Sequence, residues 1–230
     1  MGLERVASVL QGVKSVFATD RFGPLLERVQ EAMPAGIVEK IAPEVSVQHQ
    51  RIITDHLRAA VFIIADGVEP SNVDQGYVLR RLIRRAIRSG IRLGIEGRGA
   101  FIAPIAKEVI NQYGSAYPHI ANKGDAIVEI LGREEEQFAR TLQDGLKQFA
   151  RVIEKGDGKL IKGEEAFHLY DTYGFPLELT KEMASERGVT VDEAGFQKSF
   201  EVHQALSRAG AEKKFAGGLA DHSAETTKLH

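Results

Sequence analysis

Six arginines fall between positions 80 and 92 (Arg80, Arg81, Arg84, Arg85, Arg88 and Arg92), with no lysine and no acid among them. Guanidinium stays charged at every relevant pH, and its planar fork fits phosphate oxygens, so the chemistry on offer is anion binding. The competing reading is a face whose arginines pair with acids on neighbouring helices. The triplet Glu134-Glu135-Glu136 would supply such partners, or would simply be solvated; it does not read as a catalytic pair. A nucleophile, a base and an orienting group are not evident together anywhere in the chain. His49 and His56 are seven apart, unlike the i, i+4 pair of a helical metal site, and His56 is expected to be a hydrogen-bonded helix residue.

The arginines need a helix to present them, and the sequence supplies one with two faces. Leu79, Leu82, Ile83, Ala86 and Ile87 form an apolar stripe, while Arg81, Arg84, Arg85, Arg88 and Arg92 recur on another side. Upstream, Asp55 to Ala65 reads as a buried helix, with Gly67 suited to a left-handed stop. Pro70 pushes Glu69 out of the helical region, and Ser71 is the expected N-cap, with Asp74 in a variant capping box.

Elsewhere the pattern is also helical. Gly2 to Gly12 reads as a short amphipathic helix, and 17–50 as short helices punctuated by Pro24, Pro34 and Pro43, with Leu25, Leu26 and Val29 on an apolar face. Gly94, Gly97 and Gly99 break the chain after the arginines. Ile102 to Tyr113 is amphipathic and closes at Gly114. A long helix is expected from His119 to about Ile153, with Ile127, Ile130, Leu131, Phe138, Leu142, Leu146 and Phe149 on one stripe. Gly156-Asp157-Gly158 ends it, Lys159-Leu160-Ile161 is briefly extended, and Glu164 to Tyr170 is a helix. Asp171-Thr172-Tyr173-Gly174 is expected as a turn before a helix from Phe175-Pro176 to about Arg187. Val191, Phe196, Phe200, Val202 and Leu206 suit one further helix, Gly210 to Lys214 is charged, and Gly217-Gly218 resembles a linker. The fold class expected is mainly α, with a long central helix and at most a few short strands.

Composition bounds the function. The formal net charge is −2, so any polyanion surface must be local, and residues 51–92 carry eight arginines against four acids. There are no cysteines, which excludes disulfides and thiolate zinc sites and fits a reducing, cytoplasmic setting. No apolar run approaches the roughly 20 residues that span a bilayer, and no signal-peptide pattern is visible at the N-terminus, so no membrane partner is expected.

Two long, ordered blocks carry a family resemblance. Asp55-His56-Leu57-Arg58, then Ile64 to Asn72, then Gly76-Tyr77-Val78-Leu79-Arg80-Arg81-Leu82-Ile83-Arg84-Arg85-Ala86, resembles the tRNA-recognition region of alanyl-tRNA synthetases. Leu169-Tyr170-Asp171-Thr172-Tyr173-Gly174-Phe175-Pro176 matches the same family downstream. The opening Gly2 to Gly12 is similar to the end of the third class II motif, whose ATP-binding arginine corresponds to Arg5, here a remnant because the other two motifs are absent. The final Thr226-Thr227-Lys228-Leu229-His230 resembles the entry to the editing domain, with His230 the first histidine of a zinc motif that would continue beyond it.

The resemblance implies that Asn72 and Asp171 recognise the G·U wobble pair of the tRNA(Ala) acceptor stem, with Arg81, Arg84, Arg85 and Arg88 on its phosphates. It implies ATP, Mg2+ and zinc for the parent enzyme, which joins alanine to tRNA, but no cofactor and no catalysis in this segment alone. Expected divisions are 1–16, the tail of the aminoacylation domain; 17–155 and 156–210, helical recognition subdomains; and 211–230, a linker to the editing domain. Val73-Asp74-Gln75 departs from relatives, many of which have more amides and a basic residue there. The alternatives are a helical module that binds RNA without sequence preference and a purely structural interaction module.

Overall fold

From the N-terminus the chain folds through α1 (Leu3–Leu10), α2 (Gly23–Ala32), α3 (Pro43–Ala65), α4 (Asp74–Arg92), α5 (Ile102–Tyr113), α6 (Pro118–Asn122) and α7 (Gly124–Lys155). It continues through β1 (Leu160–Ile161), α8 (Gly163–Tyr173), α9 (Leu177–Ser185), β2 (Thr190–Val191) and a helical run over 193–205. This is a computed structural model; the structure describes residues 2–95, 101–156 and 158–205. The expectations placed on Gly97, Gly99, Asp157, Leu206, Gly210 to Lys214, Gly217, Gly218 and His230 lie outside the described residues. The architecture is mainly α, as the sequence indicated. Two compact units divide the chain, 1–143 and 144–230, with the boundary inside α7.

In the first unit α3 is central and packs against α2, α4, α5 and α6. Its Ile53, Leu57, Ala60, Val61 and Ile64 are buried at helical spacing, and Leu79, Ile83, Ala86 and Ile87 of α4 are buried likewise. Each large aliphatic removed from water contributes about 1.5–3 kcal/mol, so this pair of stripes is the main stabilising element. The expectation of short helices through residue 50 is corrected. Pro43 stands in the first turn of α3, where its fixed φ and missing N–H suit a helix start, so it opens the helix instead of interrupting it. The hydrogen-bonded histidine of α3 is His49, 3.2 Å from the Ser89 hydroxyl of α4; Nδ1 of His56 lies 3.6 Å from the Asp55 carboxylate, an ion-pair distance with no hydrogen bond.

The long helix expected from His119 is broken at Lys123. Nζ of that residue donates to the Ala65 carbonyl at 2.6 Å, placing a cation on the C-terminal end of α3, where orphan carbonyls and the helix dipole favour it.

In the second unit β1 and β2 pair in parallel, Leu160 with Thr190 and Ile161 with Val191, with α8 and α9 as the crossover that parallel strands require. Phe149, Leu169, Phe175, Leu179, Met183 and Phe196 form its core. Gly163 and Gly195 let backbones touch: a Cβ on Gly163 would lie 2.1 Å from the Gly195 carbonyl carbon. The expected turn at 171–174 is corrected. Asp171, Thr172 and Tyr173 are the last turn of α8, and Gly174, at φ +70°, ends it.

Candidate nucleic-acid interface

Between α3 and α4 the chain reverses in a turn with several independent fixings. Gly67, at φ +95°, donates its N–H to the Ile64 carbonyl at 2.9 Å, and the Val68 N–H reaches the Ile63 carbonyl at 3.2 Å, a Schellman closure of α3. Ser71 does not cap α4 directly, which corrects the sequence expectation: the N-cap is Val73, and Asp74 opens the helix at φ +51°. The Ser71 hydroxyl instead donates to the Val73 carbonyl at 2.9 Å, and its N–H donates to the Gly76 carbonyl at 3.1 Å. Gly76 has no room for a side chain: a Cβ there would sit 2.2 Å from Ser71 Oγ and 2.5 Å from the Glu69 carbonyl oxygen.

Asn72 is exposed at the tip of this turn. Arg80, two turns into α4, reaches back: its Nη1 donates to Asn72 Oδ1 and its Nη2 to the Pro70 carbonyl at 3.1 Å. The Nε of the same guanidinium lies 3.2 Å from Oε1 of Glu134 on α7. Arg84, one turn on, places Nε and Nη2 at 2.7 and 2.6 Å from that same oxygen and stacks 5.0 Å from the Phe138 ring centre. Two guanidiniums therefore share one carboxylate oxygen, and Glu134 is only 3% exposed.

The arginine run is split by burial. Arg84 and Arg88 are 5% and 6% exposed, so an approaching phosphate would not meet them without rearrangement. Arg81 and Arg85 are half-buried, and Arg92 is exposed. Of the acidic triplet, Glu134 and Glu135 are buried partners, Glu135 accepting from the Phe101 N–H at 3.3 Å, while Glu136 is exposed and pairs with Arg140.

Arg85 also lines a groove of about 650 Å³ with Phe17, Arg51, Asp55 and His56. The His56 imidazole beside Asp55 holds that carboxyl below the usual range, against burial, with Arg58 adding to the effect. Arg5 is exposed on α1, a helix with no buried residue; its neighbour Glu4 pairs with Arg58 of α3 at 2.9 Å. One exposed arginine does not make a nucleotide pocket. Among the described residues no three of His, Asp and Glu come together in a metal-binding group. No described helix is long and apolar enough to cross a membrane.

In the second unit Asp171 is exposed on the last turn of α8, its Oδ1 3.5 Å from Nε2 of His203. The His203 ring lies tilted against Phe167, with centroids 5.5 Å apart, and Thr172 and His168 are joined by a 3.1 Å hydrogen bond alongside. Asn72 belongs to the first unit and Asp171 to the second.

Sequence reasoning missed Arg80 as the residue that grips Asn72, Gly76 as the floor of the turn, and Lys123 and His203. Only Gly76 carried a usable signal, since a glycine in the first turn of a helix costs stability unless a close approach requires it.

The chain matches the family described as "tRNA synthetases class II (A)" over residues 1–229. It is 49% identical over 235 residues to an alanine–tRNA ligase of Treponema pallidum (strain Nichols), and 46% identical over 232 residues to one of Borreliella afzelii (strain PKo). Both alignments cover 100% of this chain and 38% of the relative. An alanine–tRNA ligase of Roseiflexus castenholzii (strain DSM 13941 / HLO8) is 44% identical over 94% of the chain and 24% of its own length. The chain thus spans well under half of the curated relatives it matches. With its helical framework and the arginine helix inside one continuous match, the chain belongs to the class II (A) tRNA synthetases.

Proposed function

We propose that this chain supplies acceptor-stem recognition to an alanine–tRNA ligase, with Asn72 and Asp171 reading the G·U wobble pair of tRNA(Ala). The parent enzyme attaches alanine to tRNA in the cytoplasm at the expense of ATP, with Mg2+ and zinc in domains beyond this segment; the segment alone forms neither alanyl-adenylate nor alanyl-tRNA. Residues 1–16 end the aminoacylation domain, 17–155 and 156–210 recognise tRNA, and 211–230 lead to the editing domain. The observation that carries this reading is the placement of Asn72, outward on a fixed turn at the entrance to the arginine helix.

The chemistry follows from A-form RNA, whose shallow minor groove displays base edges and 2′-hydroxyls. A wobble pair leaves the guanine 2-amino group without its usual partner, and an exposed carboxylate such as Asp171 accepts its hydrogen bond. Each good contact is worth about 1–3 kcal/mol of discrimination, by analogy with base readout in DNA. Phosphate contacts fall to Arg81 and Arg85, which solvent reaches, while Arg84 and Arg88 hold α4 in place. That burial favours the structural reading for those two arginines alone.

The test is a titration of the chain with an RNA hairpin carrying the G·U pair and with its G·C twin, at two salt concentrations. Asn72→Ala and Asp171→Ala should each lose about tenfold of the G·U preference. Equal, steeply salt-sensitive binding to both hairpins would reduce the function to phosphate binding. No binding at either salt would assign the arginines to the fold.

A further inference from the structure

We infer that the groove lined by Phe17, Arg51 and Arg85 is a stacking site for an unpaired nucleobase, with a preference for bases that carry an exocyclic amino group. The base belongs to an RNA whose stem lies along α4, which rests on the recognition reading above. A free mononucleotide is the other source of the same chemistry.

Behind this groove Arg58, Phe22, Phe17 and Arg51 form a ladder of planar groups. Arg58 lies over the Phe22 ring at 4.5 Å, the Phe22 and Phe17 rings are 4.7 Å apart, and Arg51 lies over Phe17 at 5.1 Å. The inner end is tied down: Phe22 is buried, and Arg58 pairs with Glu4 at 2.9 Å. The outer end is open. Arg51 is exposed, and among the described residues its guanidinium meets no acceptor. Guanidinium planes and aromatic rings are the surfaces on which unpaired bases stack, and the ladder brings one of each to the groove.

Size and charge narrow the occupant. A volume of about 650 Å³ is that of a small-ligand cleft and does not admit a duplex. Glu44 and Asp55 line it together with the two arginines, so it is not built for a cluster of phosphates. The same acids suit a base edge. Glu44 and Gln48 are exposed and, among the described residues, take part in no hydrogen bond or ion pair. They offer an acceptor-only carboxylate and an amide that both donates and accepts. Adenine, cytosine and guanine bring an amino donor to such acceptors; uracil does not. Arg85 joins the groove to the strand. Arg81 stands one turn before it on α4, about 5.4 Å along the axis, so a backbone resting on both runs toward the groove.

The chain is titrated with a blunt G·U hairpin and with the same hairpin extended by unpaired adenosines at its 3′ or its 5′ end. One of the extensions should tighten binding about tenfold. Arg51→Ala and Phe17→Leu should abolish that gain and bind the blunt hairpin within about twofold of the parent. Arg51→Lys keeps the charge without the plane and should lose the gain as well; a retained gain would make Arg51 a phosphate contact and overturn the stacking site. Cytosine and uracil have rings of one size, so a cytidine extension should outdo a uridine one several-fold, and equality would overturn the amino-group preference. Equal binding of blunt and extended hairpins would sink the site and leave the recognition reading standing. If no hairpin binds, AMP is titrated instead, with the Arg51 Nε–Hε signal followed by NMR. Saturable movement that is lost in Phe17→Leu would keep the site for a free nucleotide and sink the recognition reading; no movement would sink both.

Discussion

Asn72 stands on a turn pinned by a Schellman closure, a serine bridge, a glycine floor and an arginine anchored to a buried acid. Asp171 stands on the last turn of a helix, with His203 at 3.5 Å and solvent around it. The contrast follows from the two functional groups. An amide carries different chemistry at its two ends and must be oriented before it can discriminate. A carboxylate accepts at either oxygen, so it needs placement but no orientation. The first unit therefore uses a chain of buried charge to hold one amide, and the second leaves an acid on a helix end.

Mutations that strip one support and spare the other should separate the two sites. The largest effect is expected from Glu134→Ala, which strands two guanidiniums on a buried carboxylate's site. Removing one partner of a buried ionic group costs about 3–5 kcal/mol, so the melting temperature of the first unit should drop sharply, by calorimetry. The amide signals around Asp171 in the second unit should not shift.

Next is Gly76→Ala. Its Cβ would overlap Ser71 Oγ and the Glu69 carbonyl, and forced overpacking costs about 1–3 kcal/mol. The Arg80 contact to Asn72 should be displaced, and the G·U preference should fall with stability. An unchanged Asn72 amide signal would mean that the turn is softer than its contacts suggest.

A smaller change is expected from Gly174→Ala at φ +70°, the residue that ends the helix carrying Asp171. A left-handed position costs an L-residue about 1–2 kcal/mol, and Asp171 lies a turn before the strained residue. Stability in urea should fall modestly, while the G·U preference should stay within about twofold of the parent.

The smallest effect is in acid. Asp20 is held down to about 2 by Arg21 and Gln11, and Glu4 and Asp55 are also lowered, Glu4 chiefly by its own backbone N–H and Asp55 chiefly by His56. All three are in the first unit. A depressed folded value means stability that is present above the unfolded value of 3.8 and lost as pH falls toward about 2. Carboxyl NMR titration should show Asp20 still ionised at pH 3. An ordinary midpoint there would remove this source of acid sensitivity.

Much of the architecture was legible because it is local. The left-handed stop at Gly67, helix α5 closing at Gly114 and the buried spacing of α4 follow from backbone preference and from period. The errors have equally local causes. Pro43 signals a helix start as readily as a break, and the end of α8 at Gly174 lay one turn later than turn-forming residue types suggested. The break at Lys123 falls directly before Gly124, whose weak helix propensity the long apolar stripe masked.

The sequence by itself determined the helices, the local positive charge of α4 and the two blocks that carry the family resemblance. These depend on residue types within a few turns of one another. Only the tertiary structure decided which arginines face inward, because burial of Arg84 depends on Glu134, 50 residues along the chain. It also decided that Arg80 meets Asn72, since Arg80 turns back eight residues across a bend that no helical period describes. A charge's role is set by the acceptor it meets, and the fold chooses that acceptor.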